Sequence, residues 1–203
     1  MKGSRERGPF FCGGNCVFLA KQTISLYVNY IKKKSIFAPS YKNYMMKELT
    51  VKNIENEGIV KMYTLQFSDA NLSEFEKFVQ RFKDSGELNR DYQIIIYALS
   101  KISNNGALER YFRPEGKMND HVCALPVDSS KLRLYCLRIT DKILIIGNGG
   151  LKTTQTYEES EELLGYVMDL QKFDSLIKKE VANGSLTISE TEIEGVTDKT
   201  FAI

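Results

Sequence analysis

The sequence predicts an α+β domain with the element order β-α-α-β-β-β-α, in which an antiparallel sheet packs against helices. Three observations predict it. Three apolar segments between Val122 and Gly147 are separated by only a few residues, which makes them hairpin-connected strands. One alternating strand and two amphipathic helical stretches precede them. A long amphipathic helix follows, opened by a run of acidic residues.

The first strand is predicted over KMYTLQFS, where Met62, Thr64 and Gln66 alternate with Tyr63, Leu65 and Phe67. Asn71 and Glu74 then stand at capping-box spacing. Leu72, Phe75, Val79 and Phe82 recur at helical spacing until Asp84-Ser85-Gly86. A second helix is predicted over Asp91–Ile102, with Ile95, Leu99 and Ile102 inward and Asn104-Asn105-Gly106 ending it. HVCALPV, LRLYCLRIT and KILIIGNGG form the meander, turned by Asp128-Ser129-Ser130 and Thr140-Asp141-Lys142. Pro126 places the first of these at an edge or ends it. Thr156 and Glu159 open the last helix with a second capping-box pattern, and Glu158, Glu159, Glu161 and Glu162 suit the positive end of its dipole. Its buried stripe is Leu163, Val167, Leu170 and Ile177, with a bend expected near Gln171–Asp174. Lys178 and Lys179 lie in its last turn and Asn183-Gly184 caps it. SLTISETEIEG alternates like one more strand.

The chain has 203 residues, 42% hydrophobic and 27% charged, in keeping with a globular domain that buries a core. No stretch approaches the roughly 18 uninterrupted apolar residues of a membrane span. Pro9–Ala20 comes nearest, but it is too short and has no small-residue cleavage site, so a secretory signal is not expected. Cys12 and Cys16 have no second ligand pair at zinc spacing, and Cys123 and Cys136 sit in apolar runs. Reduced thiols, a cytoplasmic location and no metal or other cofactor are therefore expected. The net charge of +2 conceals a division: residues 1–44 carry eight Lys and Arg against Glu6 alone, and the remainder is acidic. Residues 1–60 are accordingly set apart as a basic and polar N-terminal extension. It is either a disordered arm or sequence upstream of a true start at Met45 or Met46. Residues 61–185 form the predicted domain and 186–203 a tail strand.

The order of elements, together with LRLYCLRITDKILIIGNGGLKTTQTYEESEELL, resembles the RelE/ParE toxin superfamily, and within it the HigB toxins and their phage-derived relatives. Leu132–Ile139 matches a strand rich in Arg and Tyr, and Lys142–Gly147 the apolar strand that follows. Leu151-Lys152-Thr153-Thr154-Gln155-Thr156 matches a Lys/Thr-rich turn before the final helix. The chain departs from the pattern in having only Lys152 in that turn, Tyr157 where proline is common, and Gly147-Asn148-Gly149-Gly150 in place of an aromatic stretch.

The resemblance implies a bacterial type II toxin: a ribosome-dependent endoribonuclease acting on mRNA and neutralised by a cognate antitoxin, a small DNA-binding protein. Two alternatives stay open: a gyrase-binding toxin of the ParE kind, and a degenerate member that acts only as a binding module. RNA cleavage of this kind needs a base for the ribose 2′-hydroxyl, cations for the phosphate and an acid for the leaving oxygen, with no metal in the scheme. Catalytic roles are expected for Arg133, Tyr135, Lys152 and Arg138, and RNA contacts for Arg110, Arg113, Lys117 and Thr154. Strand alternation puts Arg133 and Tyr135 on one face, where Lys152 could join them, and Leu132, Leu134, Cys136 and Arg138 on the other. Arginine can hold phosphate in a bidentate way and tyrosine can stack on a base. The competing readings are that Arg133 and Arg138 are ordinary exposed sheet residues, that Arg113 belongs to a structural loop, and that His121 is a polar strand end rather than an acid or base. Asn148-Gly149-Gly150 is expected to make a tight exit from the strand, with a phosphate nest as the lesser reading.

Overall fold

In the computed structural model, residues 46–117, 119–126 and 131–203 are described, and all belong to one unit, Met46–Ile203. The basic segment 1–44, Cys12, Cys16 and the Asp128-Ser129-Ser130 turn lie outside the described residues.

Strand β1 (Glu48–Ile54) pairs antiparallel with β2 (Lys61–Phe67). Residues 48–54, expected in the N-terminal extension, are thus part of the sheet. Leu49 and Val51 are buried, but the polar residues around them hide the alternation. In β2, Tyr63, Leu65 and Phe67 enter one core and Met62 the other, as the alternation predicts.

Helix α1 (Glu74–Phe82) starts two residues later than the expected capping box. Ser73 Oγ accepts from the Glu76 amide at 3.3 Å, and Glu76 Oε2 accepts from the Ser73 amide at 2.8 Å. Glu74 therefore lies in the first turn, where its buried carboxylate accepts from Asn148 Nδ2 at 2.7 Å and Lys77 Nζ at 2.6 Å. That tertiary contact rotates Phe78 and Phe82 inward and leaves Phe75 and Val79 half-buried. Helix α2 (Asn89–Asn105) buries Ile95, Leu99 and Ile102 as expected, together with Tyr92. It stops at Gly106, whose φ of +96° suits a residue without a side chain.

A 3₁₀ turn at Glu109–Tyr111 leads to a short strand, β3 (Arg113–Pro114). Strands β4 (Val122–Leu125), β5 (Leu132–Thr140) and β6 (Ile143–Leu151) then form the expected antiparallel meander, and β4 ends before Pro126. Helix α3 (Glu161–Ala182) is capped by Ser160, whose Oγ accepts from Leu163 N at 3.4 Å, after a 3₁₀ turn at Tyr157–Glu159. It is one helix across Gln171–Asp174, where a bend was expected, because Phe173 and Asp174 both face inward. The tail is two devices rather than one strand. β7 (Thr187–Ile188) and β8 (Ile193–Glu194) form a two-stranded ribbon, and β9 (Thr200–Ala202) pairs with β1.

The fold is α+β, with three α-helices among the described residues and a mixed seven-stranded sheet ordered β3-β4-β5-β6-β2-β1-β9. The expectation of an antiparallel sheet is corrected here, because β2 and β6 run parallel, with Lys61 opposite Ile143 and Thr64 opposite Ile146. Local alternation identifies a strand but not its distant partner. Both faces of the sheet are covered: α1 and α2 pack with Ile146, Leu134 and Cys136 on one side, and α3 packs with Tyr135, Leu137 and Ile145 on the other. Strands β5 and β6 are therefore buried along almost their whole length.

Gly147-Asn148-Gly149-Gly150 is corrected as well. It lies inside β6 and forms neither a strand exit nor an anion nest. A Cβ on Gly149 would lie 1.9 Å from the Arg133 carbonyl oxygen, so glycine there lets β5 and β6 approach closely.

Candidate active site

The loop from β3 to β4, the outer half of β5 and the turn after β6 meet at a cleft of about 250 Å³. It is lined by Arg113, Glu115, Arg133, Tyr135, Lys152 and Tyr157, with Gln155, Thr156 and Glu158 at its rim. Each group is placed by the sheet or by a tethered loop. Arg133 and Tyr135 project from the same face of β5, two residues apart. Lys152 directly follows β6, and its amide donates to the Lys131 carbonyl at 2.7 Å, which extends the β5–β6 ladder into the turn. The Glu115 amide donates to the Val122 carbonyl at 3.1 Å and so extends the β3–β4 pair.

The described residues beyond Glu115 are held as well. Gly116 has φ +74°, and a Cβ there would lie 2.8 Å from the Asp120 carboxylate. Asp120 accepts from the amides of Lys117 at 2.8 Å and Val122 at 3.1 Å, and from Gln171 Nε2 at 2.7 Å. Next to it, His121 Nδ1 and Asp174 Oδ1 are 2.6 Å apart, and Lys178 Nζ donates to Asp174 Oδ2 at 2.6 Å and to the Asn119 carbonyl at 2.8 Å. Helix α3 therefore holds the loop that forms one wall of the cleft.

Three cations face two carboxylates in the cleft, a balance that favours an anionic ligand. Arg133 is only 4% exposed, and its Nη1 donates to the Leu132 carbonyl at 2.9 Å. Burial, reinforced by Arg113, lowers the pKa of its guanidinium from the ordinary arginine value. Arg113 is half-exposed and its Nε lies 3.3 Å from Glu115 Oε1. Burial pushes the Glu115 carboxyl up, while Arg113, Arg133 and Lys152 pull it back. Tyr135 is 2% exposed and meets Tyr157 edge-on, with ring centres 6.4 Å apart. Burial, with the nearby Glu115 charge, drives the Tyr135 phenol far above its ordinary value, so it stays protonated. Burial and Glu158 also raise Tyr157.

No protein-family model, curated protein or solved structure matches the chain.

Of the eight residues singled out in the sequence, Arg133, Tyr135, Lys152 and Arg113 meet in this cleft, and four lie outside its lining. Arg138 is tied to other partners: its Nε donates to the Ala107 carbonyl at 2.6 Å, and its guanidinium pairs with Asp141 and, at 3.6 Å, with Glu109. Arg110 stacks over the Tyr111 ring at 5.1 Å. Lys117 is exposed beyond Gly116, and Thr154 Oγ1 donates to the Thr156 carbonyl at 2.7 Å, shaping the turn. Arg133 is not an ordinary exposed sheet residue, and Tyr135 is too deeply buried to stack on a base. Tyr157 is the aromatic at the rim.

The sequence reading missed Glu115 and Tyr157. Glu115 sits in YFRPEG, which looked like loop because a two-residue edge strand leaves no periodic signal. Among the described residues no helix is long and apolar enough to cross a membrane, and no cluster of three His, Cys, Asp or Glu is placed to hold a metal ion.

Proposed function

We propose that the unit Met46–Ile203 is a RelE/ParE-like toxin domain, and that the chain is the toxin of a type II toxin–antitoxin pair that cuts translated mRNA in the bacterial cytoplasm. The observation that carries this reading is the meeting of Arg133, Tyr135, Lys152 and Arg113 in one cleft. These four come from three separated segments, β3, β5 and the turn after β6, and all four are among the residues singled out in the sequence.

The physical case is one of charge and size. A space of about 250 Å³ takes one phosphodiester and part of a sugar, not a duplex. Arg113 and Arg133 offer planar forks to the non-bridging oxygens, and the Lys152 ammonium adds a point charge where negative charge grows. The protonated Tyr135 phenol donates a hydrogen bond to the same group. Lys152, half-exposed after β6, is the proton donor for the leaving 5′-oxygen. Arg138 drops out of the catalytic set, since the Ala107 carbonyl and Asp141 already hold it. A cognate antitoxin is the expected partner, with the ribosome presenting the mRNA.

Induction of the full chain in a bacterial host tests the reading. Growth and protein synthesis should stop, with loss of ribosome-bound mRNA, and Lys152→Ala combined with Arg113→Ala should remove the effect while leaving the protein folded. Intact mRNA in cells that accumulate folded wild-type protein overturns it. Growth arrest with a DNA damage response and intact mRNA would point to gyrase instead.

A further inference from the structure

We propose that Glu115 is the general base of the cleft, taking the proton of the ribose 2′-hydroxyl during phosphodiester cleavage. The inference rests on the mRNA-cutting reading and adds to it the group that starts the reaction.

Among the described residues, the groups at or next to the cleft can be taken in turn. Arg113, Arg133 and Lys152 are cations and cannot accept a proton. Tyr135 is held protonated by burial. His121 lies outside the lining and is engaged with Asp174. The Asp120 carboxylate, behind Gly116, is occupied by two amides and Gln171. Two carboxylates line the cleft, Glu115 and Glu158. Glu158 stands exposed on a 3₁₀ turn, where water solvates it.

Glu115 differs in each respect that matters to a base. Its side chain is mostly buried, yet it borders the cleft beside Arg113, Arg133 and Lys152. Its backbone is pinned by the bond to Val122, and the next residue is a glycine packed on the fixed Asp120 carboxylate. The carboxylate is thus presented from a rigid edge rather than a mobile loop. Burial strengthens it as a base relative to an exposed glutamate, while Arg113, Arg133 and Lys152 pull in the opposite direction. The same cations would hold the phosphate next to it.

The step balances without a co-reactant. The 2′-O–H bond breaks and its proton passes to Glu115. The freed electron pair forms the 2′-O–P bond, the P–O5′ bond breaks, and the 5′-oxygen takes a proton from the Lys152 ammonium. The products are a 2′,3′-cyclic phosphate and a 5′-hydroxyl end. Glu115 then loses its proton to water and Lys152 regains one.

The test uses the full chain on ribosomes translating an mRNA of defined sequence, with cleavage rate followed against pH. Binding of a short non-cleavable RNA carrying 2′-deoxy sugars is measured alongside. Glu115→Gln should cut about 100-fold more slowly or worse, lose the acid limb of the pH–rate profile, and bind the RNA as tightly as wild type or tighter. Glu115→Asp should keep the acid limb at a reduced rate. Cleavage by Glu115→Gln within about threefold of wild type overturns the proposal. So does a fall in cleavage matched by the fall in RNA binding, which would make Glu115 only a counter-ion for Arg113. Wild-type protein that leaves the mRNA whole overturns the cleavage reading and this proposal with it.

Discussion

Substituting Gly149 with alanine tests whether the glycines of β6 exist to let β5 come close. The new Cβ would lie 1.9 Å from the Arg133 carbonyl oxygen and 2.8 Å from the Leu134 Cα. These are backbone atoms inside a paired strand, so no side chain can swing aside. The strands must part by more than an ångström. Overpacking of this kind costs about 1–3 kcal/mol. Weakening one or two ladder hydrogen bonds around the Leu134–Gly149 pair adds about 0.5–1.5 kcal/mol each. Against this stands the gain of about 0.5–1 kcal/mol from replacing a strand glycine by alanine. The net loss is centred on about 3 kcal/mol, within a span of about 0.5–5.5 kcal/mol, or a fall of about 1.5 M in the urea midpoint for a slope of about 2 kcal/mol/M. Gly165 provides the matched control. It lies in α3 with nothing within 4 Å of its would-be Cβ, so Gly165→Ala should raise stability by about 0.5–1 kcal/mol. A Gly149→Ala protein with the wild-type midpoint would refute the close approach of the two strands. It would also remove the explanation of why GNGG sits in a strand.

Three further outcomes follow from individual contacts. Asp174→Asn should lower stability by about 2 kcal/mol in urea unfolding, since it leaves Lys178 and His121 facing a neutral group inside the helix–sheet contact. Burial pushes the Asp174 carboxyl up, but hydrogen bonds from His121 and Lys178 outweigh it and hold the pKa below the ordinary aspartate value. The stability it confers is therefore present above the unfolded pKa of about 4 and is lost as pH falls below that, and the asparagine variant should lack this acid-sensitive component. Arg138→Ala should destabilise by about 1–3 kcal/mol through its bonds to Ala107 and Asp141, and leave the cleft chemistry intact once folded. A loss of mRNA cleavage without loss of stability would return Arg138 to the catalytic set. Burial raises the Cys123 thiol to about 12 and drives Cys136 well above its ordinary value, so peptide mapping should find both unalkylated at pH 8 in the folded protein and modified in urea.

Much of the fold was legible because its signals are local. Helix α2 was readable from Ile95, Leu99, Ile102 and the Gly106 stop, and the meander from apolar strands joined by tight turns. The two faces of β5 followed from alternation, so the pairing of Arg133 with Tyr135 was available before any tertiary structure. Three features were not. The start of α1 depended on Glu74 reaching Asn148, 74 residues away. β1 looked like polar linker because only Leu49 and Val51 mark its inner face. The parallel pairing of β2 with β6 and the closure of the sheet edge by β9 are choices between distant segments, on which local periodicity is silent.

The site divides in the same way. The sequence by itself determined which residue types stand two apart on one strand face and which lysine follows the next strand, because backbone geometry fixes side-chain direction over that range. Alternation also put Arg138 on the opposite face, where the Ala107 carbonyl holds it. Only the tertiary structure decided that Arg113 and Glu115 join the site. That choice depends on β3 pairing with β4, and on the Asp120–Gln171 and His121–Asp174 contacts that hold the intervening loop against α3. Burial, which keeps Tyr135 protonated and makes Glu115 a stronger base, exists only once both faces of the sheet are covered.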